Sequence, residues 1–223
     1  MEDCIYKDVC QQECSESCVR YLEMNYLLKH SNIPKARQCR HRLYPEDCDL
    51  AAFRQLADIQ RNIIDFVNGD NSLYLHSYNC GNGKTTWSVK LMLQYFDKIW
   101  SGNGFRCRGL FINIPTFLSK CKDVISYPDE EFESMRRMIP EVDLVVFDDI
   151  SVSRLSDFDH TTLLNYADQR VFNGKTTIYT GNVRPDELCN TIGQRLASRI
   201  NRGYVIELKG LDRRNDDSTA DNK

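Results

Sequence analysis

Five short runs of strand character, at residues 72–76, 108–114, 144–148, 176–180 and 204–208, alternate with segments of helical periodicity. No other feature restricts the fold of this chain as much. A strand with one wet face alternates apolar and polar residues, whereas Leu144-Val145-Val146-Phe147 is apolar throughout and must be covered on both faces. Helical patterns fall between the strands at 84–96, 116–124, 130–138, 159–172 and 187–200. Before the first strand, Leu50, Phe53, Leu56, Ile59, Ile63 and Phe66 recur every three or four positions and predict an amphipathic helix ending at Asn68-Gly69. Strands separated by helices predict an α/β fold, a five-stranded parallel sheet with helices on both faces.

At 223 residues the chain can hold one such domain, expected over 49–214, and a small N-terminal module over 1–48. The polar stretch 215–223 is expected to be a disordered tail. No apolar run approaches membrane-spanning length, and Met1-Glu2-Asp3-Cys4 does not open a basic-then-apolar export signal, so a cytoplasmic protein is expected. The formal net charge of −3 excludes a broadly basic nucleic-acid coat and confines any DNA contact to a patch.

The first strand runs into Ser77-Tyr78-Asn79-Cys80-Gly81-Asn82-Gly83-Lys84-Thr85-Thr86, a glycine-containing loop that opens a helix. Backbone amides of such a loop and of the helix start converge on one spot, and the helix dipole adds positive potential there, which makes the segment a phosphate cradle. Asn79, Cys80, Gly81, Asn82, Gly83, Lys84, Thr85 and Thr86 are the expected nucleotide-binding set. Lys84 is expected on the β/γ-phosphates and the Thr85 hydroxyl on Mg²⁺. Tyr78 stands where the GxxxxGK[ST] pattern has its first glycine, so its backbone must manage without easy access to positive φ.

Asp148-Asp149 emerges at the end of the most apolar strand, where open α/β sheets bind ligands. Asp148 is assigned to the Mg²⁺ shell and Asp149 to an attacking water; read alone, the pair would also serve as a helix cap. Thr180-Gly181-Asn182 ends another strand. The Asn182 amide is placed to bridge a γ-phosphate and the water, although Gly181-Asn182 by itself is also an ordinary turn. In 193–200, Leu196 and Ile200 form one helical stripe, and Arg195 and Arg199 flank it. Either a solvated basic face or an arginine finger for a neighbouring subunit fits this spacing, with Arg199 the favoured finger.

Four of ten cysteines, Cys4, Cys10, Cys14 and Cys18, crowd the N-terminus. In a chain of this length without an export signal they predict metal ligation or burial rather than disulfides. Four thiolates suffice for one Zn²⁺, with His30, Cys39 and His41 as substitute ligands, provided the chain turns between Cys10 and Cys14. An iron-sulfur cluster and free buried thiols are the alternatives. Lys120, Lys122, Arg136 and Arg137, interleaved with Phe117, Tyr127 and Phe132, compose a candidate single-stranded DNA patch, interrupted by Asp129-Glu130-Glu131.

In this order, phosphate loop, Asp-Asp strand, strand-end Asn and Arg-x-x-x-Arg helix resemble the AAA+ ATPases, and within them the DnaC/DnaI-like helicase loaders and related IstB-type transposition ATPases. The runs Asp143 to Ile150, Thr177 to Asn182, Arg195 to Ile200 and Gly210-Leu211-Asp212-Arg213 carry the likeness, which spans residues 50 to 214 and extends to short phage-encoded members. It implies an ATPase that binds a hexameric replicative helicase through its N-terminal module, delivers it to single-stranded DNA and self-associates through its ATP sites. Asp149 replaces the Glu of many AAA+ proteins, which implies slower hydrolysis, and no separate C-terminal lid helix is evident. A transposition helper, a small-molecule kinase and a non-hydrolysing adaptor or inhibitor of a host helicase are the competing readings.

Overall fold

The computed structural model describes residues 4–7, 9–11, 15, 17–39, 43–150 and 155–212. Cys14, His41, Arg213 and the tail 215–223, each part of an expectation above, lie outside them. The elements are α1 (Val19–His30), α2 (Leu50–Arg61), α3 (Ile63–Asn68), β1 (Ser72–His76), α4 (Lys84–Ile99), β2 (Gly109–Asn113), α5 (Ile114–Asp123), α6 (Glu130–Met138), β3 (Leu144–Asp148), α7 (Asp157–Phe172), β4 (Thr176–Gly181), α8 (Leu188–Ile192), α9 (Gln194–Ile200) and β5 (Tyr204–Glu207).

The five strands form one sheet in the order β2-β3-β4-β1-β5, and every neighbouring pair is parallel. Alternate side chains of β1 to β4 enter opposite cores, as the two-residue period of a strand requires. Leu73, Leu75, Phe111, Leu144, Val146, Ile178 and Ile206 pack with α1 to α4 on one face. Tyr74, Leu110, Ile112, Val145, Phe147 and Tyr179 pack with α5 to α9 on the other. The expected sheet covered on both faces is therefore present.

Two expected helices are each broken in two. Between α2 and α3, Asn62 leaves helical geometry (φ −104°, ψ 35°), and its side-chain and backbone N–H groups both donate to Asp58 O. Between α8 and α9, Gly193 adopts φ +80°, and a β-carbon there would meet His160 Nε2 at 2.7 Å. Only glycine reconciles that backbone with the packing of α7.

Met24, Leu27 and Leu28 of α1, with Tyr6 and Ile33, join the same core as α2 and α4. Tyr6 Oη donates to Asp97 on α4 at 2.7 Å, and Arg20 pairs with the same carboxylate at 2.9 Å while its guanidinium lies 3.6 Å from the Tyr6 ring centre. The chain then caps the β2 edge: Phe111 N–H donates to Ser31 O, and Asn32 Nδ2 donates to Phe111 O. An edge strand covered this way offers fewer unpaired backbone groups to other chains.

Cys4 and Cys10 pack against this core, Cys18 immediately precedes α1, and all three are free thiols. Among the described residues no three His, Cys, Asp or Glu side chains gather as a metal site would require. No described helix is long and apolar enough to cross a membrane.

Candidate functional site

The site is built on the C-terminal ends of three adjacent strands. Because β4 lies between β3 and β1, the loop after β1, the Asp-Asp pair after β3 and the turn after β4 meet at one edge of the sheet. The loop turns through Gly81 (φ +72°) and Gly83 (φ +100°), and Gly83 is the N-cap of α4. Tyr78 does not adopt positive φ. The loop makes its left-handed turns at its glycines, so the missing first glycine imposes no backbone strain. The Tyr78 ring is exposed, and its hydroxyl donates to the Glu187 carboxylate at 3.1 Å.

Asn82, almost fully buried, ties the loop together. Its amide nitrogen donates to Ser77 Oγ and to Leu208 O, and its carbonyl oxygen accepts from Lys84 Nζ at 3.3 Å. Lys84 Nζ also donates to Asn79 O at 2.9 Å. The ammonium is thus held inside the loop, facing the backbone that surrounds a bound phosphate in such cradles.

Thr85 Oγ1 donates to Asp148 Oδ1 at 2.8 Å, which brings together the two residues assigned to Mg²⁺. A hydroxyl beside a carboxylate oxygen is a hard-oxygen pair of the kind Mg²⁺ selects. Sequence reasoning missed Thr180. Its hydroxyl donates to the same Asp148 oxygen at 2.8 Å and accepts the Asp149 amide at 2.9 Å. Ile150 N–H donates to Thr180 O, so the chain beyond β3 is pinned to the end of β4 at two points. Asp149 is held there at φ +67°, a left-handed conformation in which a non-glycine residue stores about 1–3 kcal/mol. A threonine at the end of a strand next to an Asp-Asp strand was the available signal, legible only once β3 and β4 were known to be neighbours. Asn182, half-buried, follows Gly181 in the turn after β4.

Behind the loop, His76 ends β1 with its ring stacked on Tyr74 at 5.4 Å. Burial holds the imidazole pKa below its usual value, with Glu207 opposing that shift and Arg184 and Lys84 adding to it. On α9, Arg199 Nε donates to Asp168 of α7 at 2.6 Å and Arg195 lies 3.7 Å from the same carboxylate. Both arginines are at the surface, Arg195 the more exposed. Asp168 therefore anchors the pair whose spacing suggested a finger.

The proposed base-stacking aromatics are corrected by burial. Phe117 and Phe132 are 3% and 4% exposed and pack on each other at 5.6 Å, so neither ring is open to a nucleobase. Lys122 is paired with Asp159 at 2.9 Å, and Arg136 with Glu133 at 2.7 Å. Tyr127, Lys120, Lys122 and Arg137 are the exposed members of that patch.

No family model matches the sequence and no curated protein matches it. Solved structures do. The DnaC helicase loader superposes with a TM-score of 0.62 at 19% identity, covering 75% of this chain and 94% of the loader. DnaI superposes at 0.62 and 17% identity, covering 82% of this chain and 95% of that one. The replication initiator DnaA, solved bound to AMPPCP and single-stranded DNA, superposes at 0.59 and 17% identity over 74% of this chain and 48% of DnaA. This chain shares the fold of these solved structures.

Proposed function

We propose that this chain is an AAA+ ATPase that loads a replicative DNA helicase onto single-stranded DNA. One observation carries the reading: Thr85, Asp148 and Thr180 form a continuous hydrogen-bonded set that joins the phosphate loop to the Asp-Asp strand and the turn after β4. The superposition on nearly the whole length of two loaders supports the choice of function within the fold.

The amides of residues 81–85 and Lys84 would hold the ATP phosphates, and Thr85 and Asp148 would face Mg²⁺, which supplies charge neutralisation at the phosphates. Asp149, positioned by Thr180, orients a water and accepts its proton, and Asn182 contacts the γ-phosphate and that water. Arg199 reaches the site of a neighbouring subunit once it leaves Asp168. The N-terminal residues 1–48 dock the helicase, and residues 49–214 carry the ATPase. Zn²⁺ on the N-terminal cysteines belongs to the same reading, and metal analysis of the purified full chain tests it.

Steady-state ATP hydrolysis with and without single-stranded DNA, for wild type, Lys84→Ala, Arg199→Ala and an equimolar mixture of the two variants, tests the function. A site shared between subunits restores partial activity in the mixture, since one interface then combines an intact loop with an intact finger. Nucleotide binding without hydrolysis in any sample would replace the motor with a nucleotide-binding adaptor. Failure of the full chain to co-purify with a hexameric replicative helicase would remove the loader role.

A further inference from the structure

A groove of about 640 Å³ lies at the β2 edge of the sheet. Leu110, Ile112, Phe117 and Phe132 line its apolar part together with Met135 and Met138, which are half-buried on α6. Thioethers adapt their shape to an incoming side chain, and a groove of this size has room for more than one of them. Ser31 and Asn32 already hold the edge backbone at Phe111, so an occupant meets side chains there and does not extend the sheet.

The charges around the groove are divided. Lys29 and Lys120 line it from the N-terminal segment and from α5, and Asp129 and Glu131 line it from the start of α6. Asp129 caps α6 by accepting the Phe132 amide, while Lys122 and Glu133 pair with Asp159 and Arg136. Lys29, Lys120, Asp123, Glu130 and Glu131 are all exposed, and among the described residues none of the five is in an ion pair. Just ahead of Asp129-Glu130-Glu131, the turn between α5 and α6 presents Ile125 and Tyr127, 75% and 80% exposed. Neither lines the groove of its own chain. Large apolar side chains left in water beside an apolar groove mark an interaction surface. One edge of the molecule thus carries an apolar knuckle with acidic flanks and an apolar groove with lysines on its rim.

We propose that this edge is a self-association surface: the knuckle 123–131 of one copy enters the groove of a second, with Asp123, Glu130 and Glu131 facing Lys29 and Lys120 of that copy. Because knuckle and groove share one edge, a two-fold axis lets each copy give and receive at once, and the contact closes as a dimer. The surface is separate from the phosphate site on β1, β3 and β4 and requires no nucleotide. It goes beyond the ATPase reading and does not depend on it.

Sedimentation velocity of the nucleotide-free full chain over about 1 to 100 µM tests it. Wild type is expected to reach twice the 26.0 kDa mass of one chain. The dimer should weaken as salt rises from about 50 to about 500 mM. Ile125→Ser with Tyr127→Ser, Lys29→Glu with Lys120→Glu, and Glu130→Lys with Glu131→Lys should each raise the dissociation constant at least about tenfold, since the two-fold axis counts every lost contact twice. An equimolar mixture of the two charge reversals should dimerise like wild type, because opposite charges then meet again at both contacts. Asp65→Lys, at an exposed position of α3 on the other side of the sheet, should leave the dimer unchanged. A monomeric wild type, a dimer that survives all three paired substitutions with native circular dichroism, or a mixture that fails to recover would each overturn the proposal and leave the nucleotide site intact.

Discussion

Thr180→Val replaces a hydroxyl by a methyl of nearly the same shape at the point where β3 and β4 are joined. Two hydrogen bonds are lost, one to the Asp148 carboxylate and one from the Asp149 amide. A bond to a charged group contributes about 1.5–3 kcal/mol, and an amide left unsatisfied costs about 1–3 kcal/mol. The added methyl, buried at a position 2% exposed, returns about 0.8 kcal/mol. The net expectation is a destabilisation of about 2–5 kcal/mol. With a urea m-value of about 2–3 kcal/mol/M, the unfolding midpoint should fall by about 1–2 M, read by tryptophan fluorescence. Release of Asp149 from φ +67° should also misplace its carboxylate, lowering kcat by about tenfold or more while ATP affinity, set by the loop and Lys84, stays within about threefold. A midpoint within 0.2 M of wild type, by order of magnitude about half a kcal/mol, would refute the hydrogen-bond argument. Unchanged hydrolysis in a folded variant would refute the role given to Asp149.

Three further outcomes are expected. Arg170, fully buried on α7, donates to Thr177 Oγ1 and to the carbonyls of Ile139, Val142, Asp143 and Thr176; burial lowers its pKa to about 10, yet Arg170→Met should cost about 3–5 kcal/mol in urea unfolding, because several carbonyls lose their donor at once. His76 has a folded pKa below its unfolded value of about 6.5, so the unfolded chain binds more protons on the acid side. Its contribution is complete above that value and declines as pH falls toward the folded one, and the fall in Tm between pH 7.5 and 5.5 should be smaller in His76→Phe than in wild type, by order of magnitude of a one-proton effect. Gly81→Ala, which imposes a β-carbon on both a left-handed backbone and Asp212, should displace residues 208–212 and raise hydrogen exchange at the Lys209 and Gly210 amides.

Much of the site was legible because its motifs are local. Gly81, Gly83, Lys84 and Thr85 declare a loop and a helix start within a few residues, and Asp148-Asp149 declares a strand end. Thr180 was not legible: its meaning depends on a hydrogen bond to Asp148, 32 residues away, which exists because β4 inserts between β3 and β1. Phe117 and Phe132 read as a nucleic-acid platform because an aromatic interleaved with lysines looks alike whether it points outward or inward; the packing of α5 on α6 points both inward. Asp49 precedes Leu50, the first apolar position of the predicted helix, and only its contacts 160 and 161 residues along the chain make it an anchor of residues 208–212.

By itself the sequence determined the local periods: which segments are strands apolar on both faces, which are helices with one buried stripe, and where a glycine loop opens a helix. These depend on residues two to four positions apart, and so the parallel α/β class followed from them. Only the tertiary structure decided the lateral order of the strands, the burial of Arg170 among backbone carbonyls and the passage of residues 208–212 over the phosphate loop. Each is a contact between segments far apart in the chain, set by how whole faces pack, and no local period encodes it.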